Sequence, residues 1–494
     1  MIKHKGDKTI PPPVQTLEQE VTQWQIFDYF MIAFEKSQKE SEGEKKEHEV
    51  EATKKEEEDP TYSEAMKHSL KLIERIVLQN ANEDIFDDYK YYEDLSDEPD
   101  SKHGTALPLW RYISDRTKQK QVTSICWNPK YRDLFVVGYG TYKFVKTSST
   151  GAISCFTIKN PIFPEYSFQT ESEVMCLHFH PQRPALLAVG LYDGSVLVYD
   201  IRIKNVKANP IYRSTVHTKK HMDHVWQVYW QNDESGKQAC FYSISSDGRV
   251  TSWTLMKHKL EPEDIIKLKI VPKPKEDGIA TQEKEDESSL INYAGGMCFD
   301  FNKFNDSLYL VGTEEGSIHL CSKAYSGQYL ETFEGHLLAV YSVKWNKYHP
   351  DVFLSCSADW MIKLWNKNSP KAIAIFDLHN PINDIEWAPY SSTVFAAVSS
   401  GATLYVYDLN IDKHSFLCDQ KIVKNTKLTH VSFNPFDPII LISDESGGVT
   451  SFRLSPNLRR GPLKPDSTTP GKTSEMLEKE KMNKFLQIQA ISLY

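Results

Sequence analysis

Between residues 334 and 366 the chain shows three short apolar runs separated by turn signals. The first run alternates apolar and polar residues up to Trp345, which is the period of a strand with one face buried. A second run leads through a tight turn at Asp359 and Trp360 to a third run that ends on Trp365. The pattern predicts three short antiparallel strands, which are too few to bury both of their faces alone.

The same order of signals recurs six more times. An aromatic residue takes the position of Trp345 at the end of each alternating run, at intervals of 42 to 71 residues. These residues are Trp127, Phe179, Trp230, Phe301, Trp387 and Phe433. The tight turn recurs as Asp193-Gly194, Asp247-Gly248, Glu315-Gly316 and Gly447-Gly448, where glycine tolerates the positive φ of a hairpin turn. Seven copies predict an all-β fold, a seven-bladed WD40 β-propeller over residues 107–454, and favour it over a sandwich of unrelated strands.

The segments that flank the repeats complete this organisation. A closed ring hides its strand edges by pairing the two ends of the chain, so we expect residues 109–113 to lie beside residues 448–454. The widest interval between repeats predicts a charged loop insertion over residues 257–290. Residues 455–494 are predicted to form a linker and an amphipathic C-terminal helix.

The N-terminal part is predicted to be mostly disordered or helical. Residues 1–60 form an extension that is disordered or folds on a partner, although residues 17–34 have apolar groups near helical spacing. The apolar side chains of that helix are expected to pack either against a partner protein or against the propeller itself. Residues 61–106 are predicted to hold a second helix and an acidic linker, in which residues 83–100 contain nine acidic side chains. The second helix has a two-sided apolar surface formed by Met66, Leu70, Ile73 and Val77, widened by Leu72 and Ile76.

Composition narrows the class of protein. With 494 residues, of which 40% are hydrophobic, the chain is long enough for one large repeat domain with extensions. Its eight cysteines lack CxxC spacing, which indicates small buried hydrophobes of a reducing compartment. No apolar run reaches the roughly 18–20 residues of a membrane span, so we expect an intracellular, soluble protein without a membrane partner. The net charge of -9 argues against nucleic-acid binding.

Motifs that carry catalytic chemistry are missing from the sequence. It has no GxxxxGK[ST], no GxGxxG after a strand, no HExxH and no nucleophile elbow, so we predict neither an enzyme nor a cofactor or metal site. His217, His221 and His224 cluster, but they lie where the first histidine of a blade sits, which favours a structural role. The best candidate for a hydrogen-bonded tetrad that stiffens one blade is His336, Asp359 and Trp365 with Ser355, or with Ser357 in its place.

Trp360 departs from the turn pattern, because an indole stands where other blades have glycine. This turn joins two strands at one face of the ring, so we expect the side chain to be partly exposed. Either a partner covers the indole or it folds back over the adjacent blade. Tryptophan is enriched at interface hot spots, which makes Asp359 and Trp360 candidate contact residues.

Several stretches are similar to the dynein intermediate chains. These are WNPKYRDLFVVGYG at 127–140, VGTEEG at 311–316, SADW at 357–360 with KLW at 363–365, and WAPYSSTVFAAV at 387–398. The upstream sequences KYYED at 90–94 and PLW at 108–110 resemble the axonemal outer-arm members of the family, from motile cilia and flagella. The resemblance spans residues 17–459.

This resemblance implies a non-catalytic scaffold subunit of the outer dynein arm. It implies that the propeller binds the tail of a dynein heavy chain, with Asp359 and Trp360 as candidate contacts. The N-terminal extension would bind a second intermediate chain and light chains, and Met66, Leu70, Ile73 and Val77 match the region that binds a roadblock-type light chain. Such a subunit is assembled in the cytoplasm and reaches the axonemal microtubule doublet through the complex.

Four other functions stay open. One is a cytoplasmic dynein intermediate chain that serves as a platform for cargo adaptors, although residues 90–94 favour the axonemal form. A generic WD40 interaction scaffold and a substrate receptor of a ubiquitin ligase are two more. An enzyme with its site in the propeller funnel needs titratable groups that converge near the ring axis, and the sequence shows none.

Overall fold

The computed structural model divides into two compact units, Met1–Ala81 and Asn82–Tyr494. It describes residues 24, 27–36, 64–81, 104–114, 117–118, 120–141, 150–202, 209–231, 239–257, 259–270, 293–424, 426–459 and 473–492. In the first unit, α1 spans residues 27–36 and α2 spans Glu64–Ala81. The helix expected over residues 17–34 is thus present where the chain is described, and its Phe27, Phe30 and Phe34 side chains are exposed.

In the second unit, the described residues form seven four-stranded antiparallel sheets and a C-terminal helix. The first strand is β1 (Ala106–Tyr112). Blade 1 is β2 (Gln121–Trp127), β3 (Leu134–Gly140), β4 (Gly151–Thr157) and β5 (Tyr166–Thr170). Blade 2 is β6 (Val174–Phe179), β7 (Leu186–Leu191), β8 (Val196–Asp200) and β9 (Tyr212–Arg213), followed by a 3-10 turn at Val216–Thr218. Blade 3 is β10 (Val225–Trp230), β11 (Cys240–Ser245), β12 (Arg249–Leu255) and β13 (Leu260–Lys267).

The remaining blades repeat this order. Blade 4 is β14 (Gly296–Phe301), β15 (Leu308–Thr313), β16 (Ser317–Ser322) and β17 (Glu331–Glu334). Blade 5 is β18 (Val340–Trp345), β19 (Val352–Ser357), β20 (Met361–Asn366) and β21 (Ala374–Asp377). Blade 6 is β22 (Ile382–Trp387), β23 (Val394–Ser399), β24 (Thr403–Asp408) and β25 (Cys418–Lys421). Blade 7 is β26 (Leu428–Phe433), β27 (Ile439–Asp444) and β28 (Val449–Leu454), completed by β1, and helix α3 (Ser474–Ser492) follows.

The seven-bladed propeller predicted from the repeats is therefore confirmed, and so is its closure. Strand β1 pairs antiparallel with β28, from Ala106 opposite Leu454 to Tyr112 opposite Val449. Each of the seven repeated aromatic residues ends the first strand of its blade, and each is at most 6% exposed. Their burial between neighbouring sheets explains why the repeat requires a large side chain at this position.

The insertion in blade 3 differs from the expectation. Part of the segment predicted as a charged loop over residues 257–290 is a strand, because β13 pairs with β12 along its whole length. Residues 271–292 lie outside the described residues. The sequence LEPEDIIK did not indicate a strand, because the outer face of β13 is charged and only Leu260 and Ile266 in it are buried.

Side chains join neighbouring blades where the first strands line the central channel. In an open sheet the inner edge of a first strand would leave backbone N–H groups without acceptors. Here a side chain of the preceding blade accepts a hydrogen bond from a backbone N–H of that edge. Asp300 Oδ2 accepts from the Trp345 N–H at 2.7 Å, and Glu386 Oε2 accepts from the Phe433 N–H at 2.6 Å. Ser124, His178, Gln227 and Asp384 accept from the next blade in the same way.

A second set of links lies on the face formed by the turns between the first and second strands. Asparagine follows the aromatic residue in four blades and donates its side-chain N–H to a carbonyl of the next blade. These bonds run from Asn128 to Pro184, Asn302 to Pro350, Asn346 to Ser392 and Asn434 to Arg132, at 2.8–2.9 Å. Blade 6 has Ala388 at this position, and helix α3 packs there.

Candidate functional site

The predicted tetrad residues of blade 5 meet through hydrogen bonds. The Ser355 hydroxyl lies 2.7 Å from His336 Nε2 and accepts from Trp365 Nε1 at 2.8 Å. Asp359 Oδ2 lies 2.9 Å from His336 Nδ1, so one chain of contacts ties the start of the blade to its second and third strands. Ser357, the alternative serine, instead donates to the Leu338 carbonyl at 3.0 Å.

Burial and pairing set the charges of this tetrad. Burial lowers the pKa of His336, which keeps the imidazole neutral near pH 7. Burial alone would raise the pKa of Asp359, but the hydrogen bond from His336 and those from the Leu337 and Met361 N–H groups outweigh it and lower that pKa. An ionised carboxylate thus holds two backbone segments on one face of the ring.

Blade 3 contains a second tetrad that was missed from sequence. His221 Nε2 lies 2.7 Å from the Ser243 hydroxyl, which accepts from Trp253 Nε1 at 2.7 Å, and His221 Nδ1 lies 3.1 Å from Asp247 Oδ2. The signal was available, because the aspartate and tryptophan follow the serine by four and ten residues in both blades. Among the described residues no group of three or more His, Cys, Asp or Glu is placed to hold a metal ion.

The blade 5 tetrad lies directly under an exposed apolar surface. Trp360 has φ 74°, the left-handed conformation that Gly194, Gly248 and Gly316 adopt elsewhere, and its side chain is 48% exposed. The Leu337 N–H donates to Asp359 Oδ2, which holds Leu337 and Leu338, 77% and 53% exposed, beside the same turn. This arrangement exposes three large apolar side chains beside one turn of the ring.

The central channel holds charged groups that converge near the ring axis, contrary to what the sequence showed. It has a volume of about 860 Å³ and is lined by the first strands of the blades. Lys344 lies among Asp300, Asp384 and Glu386, and these carboxylates raise its pKa although burial alone would lower it. Each of the three carboxylates lines the channel and also accepts a backbone N–H of the next blade, so each links two neighbouring blades.

Helix α2 carries the predicted light-chain stripe. Met66, Leu70, Ile73 and Val77 are 38%, 46%, 53% and 58% exposed, and Leu72 and Ile76 are 44% and 53% exposed. These side chains lie on the helix with the expected spacing. Six large apolar side chains on an 18-residue helix form an apolar surface whose exposure to water is unfavourable. Such a surface is typical of a helix that binds a partner. Among the described residues no helix is both long and apolar enough to cross a membrane.

Comparison with known proteins defines the class first. The WD domain, G-beta repeat family matches residues 163–200 and 327–366, which fall in blades 1, 2, 4 and 5. The chain is a WD-repeat β-propeller protein.

Relatives with known names define the family. The chain is 46% identical over 471 residues to dynein intermediate chain 2, ciliary, of Heliocidaris crassispina, covering 93% of this chain and 65% of that protein. It is 46% identical to the 78 kDa intermediate chain of the flagellar outer arm of Chlamydomonas reinhardtii, covering 97% of this chain and 71% of that protein. It is 43% identical to dynein axonemal intermediate chain 1 of Bos taurus, covering 92% of this chain and 64% of that protein.

The chain belongs to the axonemal dynein intermediate chain family. The resemblance inferred from sequence is confirmed, and so is the axonemal localisation that it implied. No catalytic family is indicated by these relatives, which are named as dynein intermediate chains. The chain spans about two thirds of the length of the relatives it matches.

Proposed function

We propose that the chain is a non-catalytic scaffold subunit of the outer dynein arm. In this proposal the propeller binds the tail of a dynein heavy chain, with Asp359 and Trp360 in the contact. The N-terminal unit binds a second intermediate chain and light chains, and Met66, Leu70, Ile73 and Val77 of α2 receive a roadblock-type light chain. The assembled complex connects the chain to the axonemal microtubule doublet.

The observation that carries this proposal is the family relationship together with two separate exposed apolar surfaces. One surface lies on α2 in the first unit, and the other lies on the ring around Trp360. The alignment with the flagellar outer-arm protein covers 97% of this chain. A scaffold needs separate sites for separate partners, and two exposed apolar surfaces support this proposal.

Purification from ciliated cells tests the proposal. The full chain carries a tag, and mass spectrometry identifies the proteins that co-purify with it. We expect outer-arm heavy chains, a second intermediate chain and a roadblock-type light chain. Recovery of cytoplasmic dynein heavy chain with cargo adaptors would support the cytoplasmic alternative, and recovery of neither heavy chain would favour a generic WD40 scaffold.

A further inference from the structure

A basic and aromatic patch lies on the face of the ring opposite Trp360. It consists of Lys130, Tyr131 and Arg132 in the turn between β2 and β3, with Phe436 in the turn between β26 and β27. The Arg132 guanidinium lies 5.2 Å from the centre of the Phe436 ring, and Lys130 Nζ lies 5.9 Å from that of Tyr131. Asn434 Nδ2 donates to the Arg132 carbonyl at 2.9 Å, which makes the two turns one continuous surface.

The charges and rings of this patch are open to a ligand. Tyr131 and Phe436 are 55% and 46% exposed, and Lys130 and Arg132 are exposed as well. Within the described part of the chain, neither cation has a carboxylate within ion-pairing distance; Lys159 nearby pairs with Asp133 at 3.5 Å. Two unpaired cations stacked on aromatic rings fit an acidic segment that also carries apolar or aromatic side chains.

An equivalent turn of the same ring shows how such a surface is covered. In blade 5 the turn holds Tyr348 and His349, and helix α3 packs over it, with His349 Nε2 2.9 Å from Asn483 Oδ1. Tyr348 is only partly exposed there, and its hydroxyl donates to the Pro389 carbonyl at 2.6 Å. A segment of the chain itself therefore covers this face at blades 5 and 6.

The chain enters the ring beside the patch. Ala106 at the start of β1 lies opposite Leu454, and the Leu454 N–H donates to the carbonyl of Pro438, two residues from Phe436. Gly104 is held at the same edge by its N–H, which donates to the Leu417 carbonyl at 3.1 Å. Residues 82–103, just before this point, lie outside the described residues. Eighteen residues span at most about 60 Å, so residues 83–100 reach the patch easily.

We propose that residues 83–100 of this chain dock on the patch formed by Lys130, Tyr131, Arg132 and Phe436. This segment has nine acidic residues against the single Lys90. It also contains Ile85, Phe86, Tyr89, Tyr91 and Tyr92. Acidic and aromatic groups in one tethered segment match both features of the patch, and the tether raises the local concentration of the segment.

Zero-length cross-linking of carboxylates to lysines in the purified full chain tests the proposal. We expect cross-links from residues 83–100 to Lys130 that are independent of protein concentration, as an intramolecular contact requires. The ion pair between Lys159 and Asp133 supplies an internal positive control. Arg132→Glu combined with Phe436→Ala should reduce the Lys130 cross-link at least about fivefold, because it replaces attraction by repulsion and removes a ring.

A matched double variant on the far side of the ring is the control for a specific effect on the patch. Lys303→Glu with Phe304→Ala changes a lysine and an exposed phenylalanine in the corresponding turn of blade 4, and it should leave the Lys130 cross-link unchanged. A mixture of isotopically labelled and unlabelled chains distinguishes contacts within one chain from contacts between chains. Cross-links formed only between chains, equal loss in both variants, or the absence of a Lys130 cross-link beside an intact Lys159 control would each overturn the proposal.

Discussion

Helices α2 and α3 have nearly the same length, 18 and 19 residues, yet their apolar side chains meet different surroundings. In α2, six large apolar side chains are exposed by 38% or more. In α3, Met482 and Phe485 are 0% and 4% exposed, because they pack into the core shared by blades 5 and 6. The helix with the clearer apolar stripe is the exposed one. A strong stripe thus indicates that a helix needs a partner surface, but it does not say where that surface is.

The two helices also differ in their polar contacts. Glu478 of α3 is fully buried, and its Oε2 accepts from the Ser392 N–H at 2.8 Å and from the Ser392 hydroxyl at 2.9 Å. Lys481 Nζ lies 3.8 Å from the same carboxylate oxygen. These bonds orient α3 over the turn next to Ala388, where blade 6 lacks the asparagine of its neighbours. Docking of α3 therefore depends on specific polar contacts as well as on apolar area.

The largest expected effect is on the docked helix. Phe485→Ala should lower the free energy of unfolding of the ring by about 3 kcal/mol or more, because it empties a buried site. Urea denaturation followed by tryptophan fluorescence measures this loss. The matched control is Ile488→Ala on the exposed side of α3, which should change the value by less than about 0.5 kcal/mol. Equal unfolding curves for the two variants would show that α3 contributes nothing to the ring.

The opposite behaviour is expected of α2. Leu70→Asp with Ile73→Asp should weaken light-chain capture at least about 100-fold, since burying unpaired carboxylates in an apolar interface costs several kcal/mol. Urea unfolding of the ring and recovery of the heavy chain should both stay unchanged. Co-purification measures both partners, and Lys67→Ala with Lys71→Ala is the control on the same helix. Simultaneous loss of heavy chain and light chain would contradict separate binding sites.

A smaller effect is expected when the polar contact between Glu478 of α3 and the ring is removed. Glu478→Ala should cost about 1–3 kcal/mol in the free energy of unfolding, because it leaves the buried Ser392 N–H without its acceptor. Hydrogen exchange of the Ser392 amide should become faster. Lys479→Ala on the exposed face is the control. If the exchange rate of Ser392 stays that of the parent protein, the carboxylate does not hold the helix.

The smallest expected effect is that of replacing Trp360, which lies on the ring. Trp360→Ala should weaken heavy-chain capture about tenfold, equivalent to about 1.4 kcal/mol, with little change in melting temperature. Trp360→Gly should lose the same affinity but raise the free energy of unfolding by about 1 kcal/mol, because glycine accepts φ 74° without strain. A melting temperature many degrees lower in both variants would mean that the indole caps its own blade.

Much of the ring was predictable because its signals are local and repeated. A large aromatic residue at the end of an alternating run marked every first strand, and the residues before Trp127 predicted the strand that closes blade 7. The tetrad residues around His336 also follow from fixed spacing within one blade. The same spacing marks Ser243, Asp247 and Trp253, and it was overlooked because His221 lies in a cluster of three histidines. Strand β13 was missed because its residues face solvent on one side.

The sequence by itself determined the number of blades, the closing pair of strands and the apolar stripe of α2, since each depends on the period of neighbouring residues. Only the tertiary structure decided which distant groups meet. Asp300 and Asp384 come from blades 4 and 6 and approach Lys344 of blade 5 because ring closure brings three first strands around one channel. Helix α3 covers blades 5 and 6 because a buried carboxylate and two apolar side chains fit there, and no local periodicity encodes such a fit.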